Sequence, residues 1–390
     1  SVNSIDIGIS PSKIIDKKKL IINLKNIFPK KNYSEIKKRI DKGKFFYFEK
    51  KISEENYERL MQLGDKSIEP RDNLIRIYPQ KNLFSHIIGQ IDIDNNGVSG
   101  LEKSLDENLK KNNKQIKLTV DKDIQFLIRD ELRKFNDIFR AKGSAAILMD
   151  IHNGEILSLV SLPDFNPNKR EKITDVNYIN RATKGVYEFG SVFKTFTLAA
   201  ALDQEIIEPE TEFINLPKSL PCAGFPIREY DDKMPSDLTA EQILIRSGNI
   251  GSVRIGQKLG VEKFKFFLSK LNLLEKIDFD IDEVGVPLKF NWGKCPLATA
   301  SFGHGITTTL LQLAKAYAII ANGGYEIQPS LLKKYKYDKK KKLLNDGVSE
   351  KILPILRKIV TTKEGTASLA NVPGYEIAGK TGTADIASTG

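Results

Sequence analysis

The stretch that decides the fold runs Gly190-Ser191-Val192-Phe193-Lys194-Thr195-Phe196-Thr197-Leu198-Ala199-Ala200-Ala201-Leu202. Its composition predicts a helix that is apolar on almost every side and is therefore buried. Because residues three apart on a helix share a face, the Ser191 hydroxyl and the Lys194 amine would lie side by side. The positive end of the helix dipole favours negative charge on the serine, and burial lowers the pKa of the lysine. A lysine with a pKa near neutrality can act as a general base, so this pair is a candidate nucleophile and base.

Ser-x-x-Lys pairs also arise by chance in a chain this rich in lysine. Three more occur, all in polar or proline-containing surroundings: Ser10–Lys13, Ser34–Lys37 and Ser330–Lys333. Only Ser191 has a glycine before it and an apolar helix candidate after it. Ser191 and Lys194 are therefore the candidate catalytic pair, with a chance Ser-x-x-Lys match as the alternative.

Two further motifs lie downstream of this pair. Ser247-Gly248-Asn249 falls between two helix candidates, where a loop can aim a hydroxyl and an amide into a cleft. A plain N-cap for the following helix is the alternative. Lys380-Thr381-Gly382-Thr383 follows an extended-looking segment, and Lys-Thr-Gly occurs nowhere else in the chain. A glycine in an edge strand lets a ligand backbone approach, and the lysine and threonine supply a carboxylate-binding pair; a simple β-bulge is the alternative.

The order of the three motifs carries more information than any one of them. Ser247 follows Ser191 by 56 residues, and Lys380 follows Ser247 by 133 residues. Ser-x-x-Lys, Ser-x-Asn and Lys-Thr-Gly in this order are the signature of penicillin-binding proteins and class A β-lactamases. Together the motifs predict one cleft in which a serine is acylated.

Length and composition predict a protein of two domains. The chain has 390 residues, of which 40% are hydrophobic and 28% charged, which is too long for one ordinary core. We place the boundary near Leu118, which gives an irregular, lysine-rich domain at 1–117 and a second domain at 118–390. The net charge of +11 comes from scattered lysines without interleaved aromatic residues, so nucleic-acid binding is not expected. No stretch approaches the ~18 apolar residues that a membrane span requires.

Periodicity and helix caps predict an α+β fold. Apolar residues recur at three- and four-residue steps in a helix that follows Asp121. Residues 145–160 form a hairpin around the turn at Asn153-Gly154. Thr239 and Thr309 each precede a glutamine by three residues, which is a capping box that opens a helix. Strand-like pieces before and after a helical middle favour helices packed on an antiparallel sheet.

Metal and disulfide sites have weak signals in this chain. Cys222 and Cys295 could pair, but two cysteines do not define a disulfide framework. Asp92-x-Asp94-x-Asn96-Gly97 imitates the first half of a calcium loop, but position twelve is Lys103 instead of glutamate. The three histidines are far apart and show no ligand spacing: His86, His152 and His304. We therefore expect no metal and no cofactor.

The sequence around the motifs resembles a class B penicillin-binding protein. The approach to the serine is similar at Asn180-Arg181-Ala182 and at 187–191, with Phe189 where proline is usual. Further similar segments lie in the hairpin and near the third motif: 149–150, 153–157, 165–168, 365–367 and 378–384. Three upstream segments resemble the pedestal domain of these proteins: 76–79, 86–89 and 97–102. Two segments are more similar to the septal, FtsI-type enzymes than to the elongation type: Ser247–Gly251 and Ser301–Gly305.

The resemblance implies a penicillin-binding transpeptidase/β-lactamase-like domain, with an antiparallel sheet flanked by helices, preceded by an irregular α+β pedestal domain. It implies Ser191 as nucleophile, Lys194 as base and Ser247 as the proton relay to the leaving group. The substrate-binding residues that it implies are Asn249, Lys380, Thr381, Gly382 and Thr383. The backbone N–H groups of Ser191 and Thr383 would form the oxyanion hole.

The resemblance also implies a substrate and a location. The substrate would be peptidoglycan stem peptides ending in D-Ala-D-Ala, and β-lactams would acylate the same serine. A membrane glycosyltransferase and other division proteins would be partners, at the periplasmic face of the inner membrane, through an anchor not present in this chain. Only seven residues follow Thr383, so we expect the second domain to be truncated at its C-terminus. The alternatives are a β-lactamase, which must activate a deacylating water, a non-catalytic division scaffold and a β-lactam sensor.

Overall fold

The N-terminal region is a three-stranded sheet covered by helices. The computed structural model describes residues 1–111, 115–169, 176–334 and 340–385. The elements of this region are β1 (Val2–Ile9), α1 (Lys17–Ile27), α2 (Tyr33–Asp41), β2 (Phe46–Glu49), α3 (Glu54–Met61) and β3 (Ile68–Ile75). The strands are antiparallel in the order β2-β1-β3. The region thus has its own small α+β layer structure.

Side-chain periodicity explains which residues form the core of this region. Ile7 and Ile9 lie two residues apart in β1, so they face the same side of the sheet, and both are fully buried. The buried residues of α1 run from Leu20 to Ile27 at helical spacing and belong to the same cluster. Asp16 caps α1 by accepting the Lys19 amide at 3.0 Å.

Short helices connect this region to the second one: α4 (Ser85–Ile88), α5 (Gly100–Ser104) and α6 (Asp106–Lys111). The calcium-like sequence lies here as a turn, in which the Asp92 carboxylate accepts the amides of Asp94 and Asn96, each at 2.8 Å. Ile87 of α4 and Leu101 of α5 are buried in one cluster with Ile156 and Leu159 of the predicted hairpin. Helices α4 and α5 therefore pack directly on the second region.

The second region opens with the predicted helix and hairpin: α7 (Lys122–Phe139), β4 (Ser144–Met149) and β5 (Ile156–Leu162). Asp121 caps α7 by accepting the amides of Asp123 and Ile124. The buried Gln125 side chain bonds to the backbone of Leu159 in β5, donating at 2.8 Å and accepting at 2.9 Å. Several apolar residues that set the helical period are not buried in this contact, since Leu127 and Phe135 are more than half exposed.

The rest of the second region is mainly helical. Its elements are β6 (Val186–Tyr187), α8 (Lys194–Asp203), β7 (Glu212–Phe213), β8 (Ser219–Cys222), β9 (Phe225–Arg228), β10 (Leu238–Thr239), α9 (Ala240–Ile245), α10 (Asn249–Leu259), α11 (Val261–Lys270), α12 (Lys294–Ala300), β11 (Thr308–Thr309), α13 (Leu310–Ala321) and α14 (Val348–Thr361). The short strands pair as β8–β9, β7–β10 and β6–β11. In the described ranges, no helix is both long and apolar enough to cross a membrane.

Helix α8 lies at the centre of the second core. All ten of its residues are buried, as its apolar sequence predicts, and α9, α10, α11 and α14 pack around it. The two capping boxes are confirmed, because Thr239 and Thr309 each accept the amide of the glutamine three residues later and donate their own amide to its side chain. The caps fix where α9 and α13 begin, and so where these helices contact α8.

The segment that carries Lys-Thr-Gly does not form the strand that we expected. Residues 375–385 lie outside every helix and strand. Their backbone bonds to α14 instead: the Gly379 amide donates to the Leu356 carbonyl at 3.2 Å, and Arg357 donates to the Ile377 carbonyl at 2.7 Å. A strand needs a hydrogen-bonded neighbouring strand, and within the described chain the hairpin sheet consists of β4 and β5 alone.

The two cysteines form a disulfide, an outcome that the sequence left open. The Cα atoms of Cys222 and Cys295 are 5.4 Å apart, within the usual range for a disulfide. The bond joins the end of β8 to the beginning of α12. It therefore ties the β8–β9 hairpin to the helical part of the second region.

Candidate active site

The predicted nucleophile and base lie three residues apart at the beginning of helix α8. Ser191 belongs to a 3-10 turn, Gly190–Phe193, that continues directly into α8, of which Lys194 is the first residue. Ser191 is half-buried beside the cleft, whereas Lys194 is 2% exposed. A tighter 3-10 turn brings residues three apart almost into line. The local sequence thus presents one hydroxyl to the cleft and hides one amine behind it.

The Lys194 amine is held by oxygens of the second motif. Its Nζ donates to the Ser247 carbonyl at 2.5 Å, to Asn249 Oδ1 at 2.7 Å and to Ser247 Oγ at 3.1 Å. A neutral amine has two N–H donors and one lone pair, so the two shorter contacts can use both donors. The lone pair is then left to accept a proton from a neighbouring hydroxyl.

The surroundings of Lys194 lower the pKa of its amine to about 7. Burial is the largest cause, because it penalises the charged form. The positive charge of Lys380 lowers the pKa further, and the carboxylate of Glu229 opposes both effects. Near neutral pH a substantial fraction of this lysine is therefore an unprotonated amine.

The second motif is a strained turn between α9 and α10. Ser247 has a φ of +58°, in the left-handed region that non-glycine residues seldom adopt. Two amides hold it there: Ser247 donates to the Leu244 carbonyl at 3.1 Å, and Gly248 donates to the Ile243 carbonyl at 2.8 Å. This backbone shape directs the Ser247 carbonyl and hydroxyl to the same amine. Strain of this kind is typical of functional sites.

The third motif brings a second lysine to the same hydroxyl. Lys380 Nζ donates to Ser247 Oγ at 2.9 Å and to the Thr381 carbonyl at 2.9 Å. Burial lowers the pKa of Lys380 to about 8, so it stays mostly charged at neutral pH. Ser247 Oγ thus lies between two lysines, which suits a hydroxyl that passes a proton on. The Thr381 hydroxyl is bonded to that of Thr366 at 2.6 Å.

Two glycines allow the first and third motifs to meet. At Gly190, which has a φ of +54°, a Cβ would lie 2.0 Å from the Thr383 carbonyl oxygen. At Gly382 a Cβ would lie 2.3 Å from the Phe189 carbonyl oxygen. Both distances are too short for any side chain. Glycine at these two positions therefore permits backbone contact between the Ser191 turn and the Lys-Thr-Gly segment.

A single cleft of about 840 Å³ collects the predicted site residues. Its lining includes Ser191, Ser247, Asn249 and Thr381–Thr383, and Lys194 and Lys380 both donate to Ser247 Oγ. All eight residues predicted from the sequence are thus in one place. Whether each has its predicted role stays a prediction.

Several charged residues in or near the cleft were not predicted from the sequence. Arg246 and Glu364 form an ion pair at its wall, and the Glu188 carboxylate accepts the Gly305 amide at 3.0 Å. Glu229 bonds to the backbone at the second motif. No periodicity or motif spacing in the sequence marks these residues, because each of them contacts a partner that is distant in the sequence. Within the described chain, no cluster of histidine, cysteine and carboxylate side chains could hold a metal ion.

This fold and this cleft define a class of protein. The chain belongs to the penicillin-binding protein transpeptidase family: residues 144–390 match the family described as "Penicillin binding protein transpeptidase domain". Residues 1–134 match the "Penicillin-binding Protein dimerisation domain". The combination is that of a class B penicillin-binding protein. The predicted domain boundary near Leu118 stays a prediction.

Relatives place the chain nearer to one kind of class B protein, the FtsI-like kind. It is 31% identical to the "Peptidoglycan D,D-transpeptidase FtsI" of Buchnera aphidicola, over 94% of this chain and 68% of that protein. It is 29% identical to the "Probable peptidoglycan D,D-transpeptidase FtsI" of Caulobacter vibrioides, over 86% of this chain but 58% of that protein. The crystal structure of penicillin binding protein 3 from Mycobacterium tuberculosis, complexed with aztreonam, aligns with a TM-score of 0.71 at 25% identity, over 81% of this chain and 76% of that one.

Proposed function

We propose that this chain contains the catalytic site of a serine D,D-transpeptidase that cross-links peptidoglycan stem peptides. The observation that carries the proposal is the environment of Lys194, a buried amine with a lowered pKa that is bonded to Ser247 and lies three residues after Ser191. A buried lysine without a structural ion pair is costly to the fold, so a chemical use is the simplest reason for it.

Acylation begins at Ser191. Its Oγ attacks the carbonyl carbon of the penultimate D-alanine, and the hydroxyl proton passes to the lone pair of Lys194. The C–N bond to the terminal D-alanine then breaks. Ser247, bonded to Lys194 at 3.1 Å, relays the proton to the departing amine. The product is an ester between Ser191 and the stem peptide.

Binding and charge stabilisation come from the third motif. Lys380, Thr381 and Thr383 bind the terminal carboxylate of the stem peptide, and Gly382 lets the peptide backbone approach. Asn249 contacts the amide of the donor peptide. The backbone N–H groups of Ser191 and Thr383 receive the oxyanion, and one such donor is worth about 3 kcal/mol in the transition state. An amine on a neighbouring strand then attacks the ester and releases Ser191.

β-Lactams would acylate the same serine, with their carboxylate in the place of the terminal carboxylate. The complex of the similar Mycobacterium tuberculosis protein with aztreonam, a β-lactam, supports this extension. A septal role, with a membrane glycosyltransferase and division proteins as partners, is supported by the similarity to proteins named FtsI. The proposed location is the periplasmic face of the inner membrane.

Labelling with a fluorescent penicillin tests the proposal. Purified full-length protein should form a long-lived covalent adduct, and Ser191→Ala should form none because the attacking oxygen is missing. Ser34→Ala is the matched control, since Ser34 also precedes a lysine by three residues but lies exposed on α2; it should label like the wild type.

Each result of the labelling gel has a definite meaning. Full labelling of Ser191→Ala would remove Ser191 from its role. Rapid turnover of penicillin without a lasting adduct would instead indicate a β-lactamase. Absence of any labelling of the wild-type protein would favour a non-catalytic scaffold.

A further inference from the structure

The β8–β9 hairpin ends at a carboxylate that the reaction above does not use. Glu229 follows β9 directly, and its two oxygens accept the backbone amides of Asn249 at 2.6 Å and Ile250 at 2.8 Å. These are the first two amides of α10, whose N-cap residue, Gly248, has no side chain to accept them. Glu229 therefore caps α10 from a different segment of the chain.

The same segment fixes the side chain of Asn249. Its Nδ2 donates to the Arg228 carbonyl at 2.8 Å, so its Oδ1 faces Lys194 and accepts from it at 2.7 Å. The reversed amide would set two carbonyl oxygens against each other and an N–H against the lysine. Arg228 and Glu229 thus hold Asn249 by its side chain and by its backbone.

Charge connects Glu229 to the base as well. Two charged groups act on the Lys194 amine: Lys380, across Ser247, disfavours the ammonium form, and Glu229 favours it. Burial also disfavours the ammonium form. Loss of the Glu229 charge would leave only the two effects that lower the pKa of Lys194.

We propose that Glu229 is a positioning residue of this site. Its carboxylate holds the Ser247–Asn249 loop so that the oxygens of Ser247 and Asn249 converge on the Lys194 amine. The inference rests on the function proposed above, because it assumes that Lys194 is the base.

The test is the rate of acylation by fluorescent penicillin between pH 5 and pH 9. In wild-type protein the rate should rise with pH around pH 7, as Lys194 loses its proton. Glu229→Gln keeps one carbonyl oxygen for the loop but loses the charge. The rising limb of its rate–pH curve should therefore move to lower pH, and its maximal rate should fall about 10-fold. Glu229→Asp keeps the charge but is one methylene shorter, so its rate should fall while its limb stays near that of the wild type.

Asp232→Asn is the matched control. It removes the same charge three residues further along, from an exposed side chain that makes no hydrogen bond among the described residues. Its maximal acylation rate, and the pH at which that rate rises, should equal those of the wild type. Trp292 fluorescence over the same pH range measures the folded fraction of each variant. The rates are divided by that fraction before the curves are compared, so a partly unfolded variant still gives an answer.

Provided that the wild-type protein is acylated, two outcomes would overturn the inference. One is a rate–pH curve of Glu229→Gln that superimposes on that of the wild type. The other is an equal shift of the rate–pH curve in Asp232→Asn. A loss of rate in Glu229→Gln with an unmoved limb would reduce Glu229 to a structural cap. A wild-type protein that is never labelled would instead overturn the proposed function itself.

Discussion

Replacing Lys194 by methionine should change how stability depends on pH. Methionine has nearly the same length and no charge, so the variant removes the titrating amine and leaves the apolar surroundings of α8 filled. The free energy of unfolding of the wild-type protein should rise from pH 7 to pH 9 more steeply than that of the variant. The difference between the two proteins should grow by about 2 kcal/mol over this range.

The magnitude follows from one titrating group. In the folded protein the pKa of Lys194 is about 7, whereas its ordinary value is 10.5. Between these values the unfolded chain binds a proton that the folded protein has lost, so stability rises with pH. A full proton of difference is worth about 1.4 kcal/mol per pH unit. Because the folded lysine is still partly protonated near pH 7, the gain between pH 7 and pH 9 comes to about 2 kcal/mol.

Chemical denaturation at several pH values measures this effect. The single tryptophan, Trp292, contacts Phe264 and Phe290 in the second core, so its fluorescence reports on the region that contains Lys194. Lys263→Met is the matched control, because Lys263 is exposed on α11 and has no ion pair among the described residues. Its curve should run parallel to that of the wild type. Parallel curves for wild type and Lys194→Met would refute the claim that burial keeps this amine near neutrality.

Two further predictions concern the contacts that hold the cleft together. Gly382→Ala should abolish penicillin labelling, because the new Cβ would lie 2.3 Å from the Phe189 carbonyl oxygen, whereas Gly379→Ala, with no atom within 4 Å of its Cβ, should label normally; equal labelling of both variants would contradict this. Replacing Cys222 and Cys295 by serine should lower the free energy of unfolding by about 2–4 kcal/mol, since the bond joins residues 73 apart. The same denaturation assay measures this, and equal midpoints for the oxidised protein and the variant would count against it.

Local features of the chain were predictable from sequence because neighbouring residues decide them. The buried helix that begins at Lys194 follows from an unbroken apolar run, and the beginnings of α9 and α13 follow from Thr239 and Thr309. The hairpin follows from a turn between two apolar runs. The cap hydrogen bonds join residues three apart, and an unbroken apolar run predicts burial whichever elements pack against it, so the pattern alone indicates the structure.

The strand that we expected for the Lys-Thr-Gly segment shows what a local pattern cannot predict, namely which element lies beside an extended segment. An extended segment becomes a strand only beside another strand, and here the neighbour of residues 377–379 is helix α14. The pairing of Cys222 with Cys295 is similar, since it depends on how the hairpin packs against α12. Both outcomes depend on a partner that is distant in the sequence.

The sequence by itself determined the identity of the reactive groups and their order along the chain: the Ser191 turn, the Ser247 loop and the Lys380 segment. Only the tertiary structure decided that Ser247 lies between two lysines and that Glu229 caps the loop which holds it. The physical reason is one of range. A helix cap is formed by adjacent residues and an apolar run predicts burial by its composition alone, whereas the protonation state of a buried amine depends on every charge and dipole that folding brings around it.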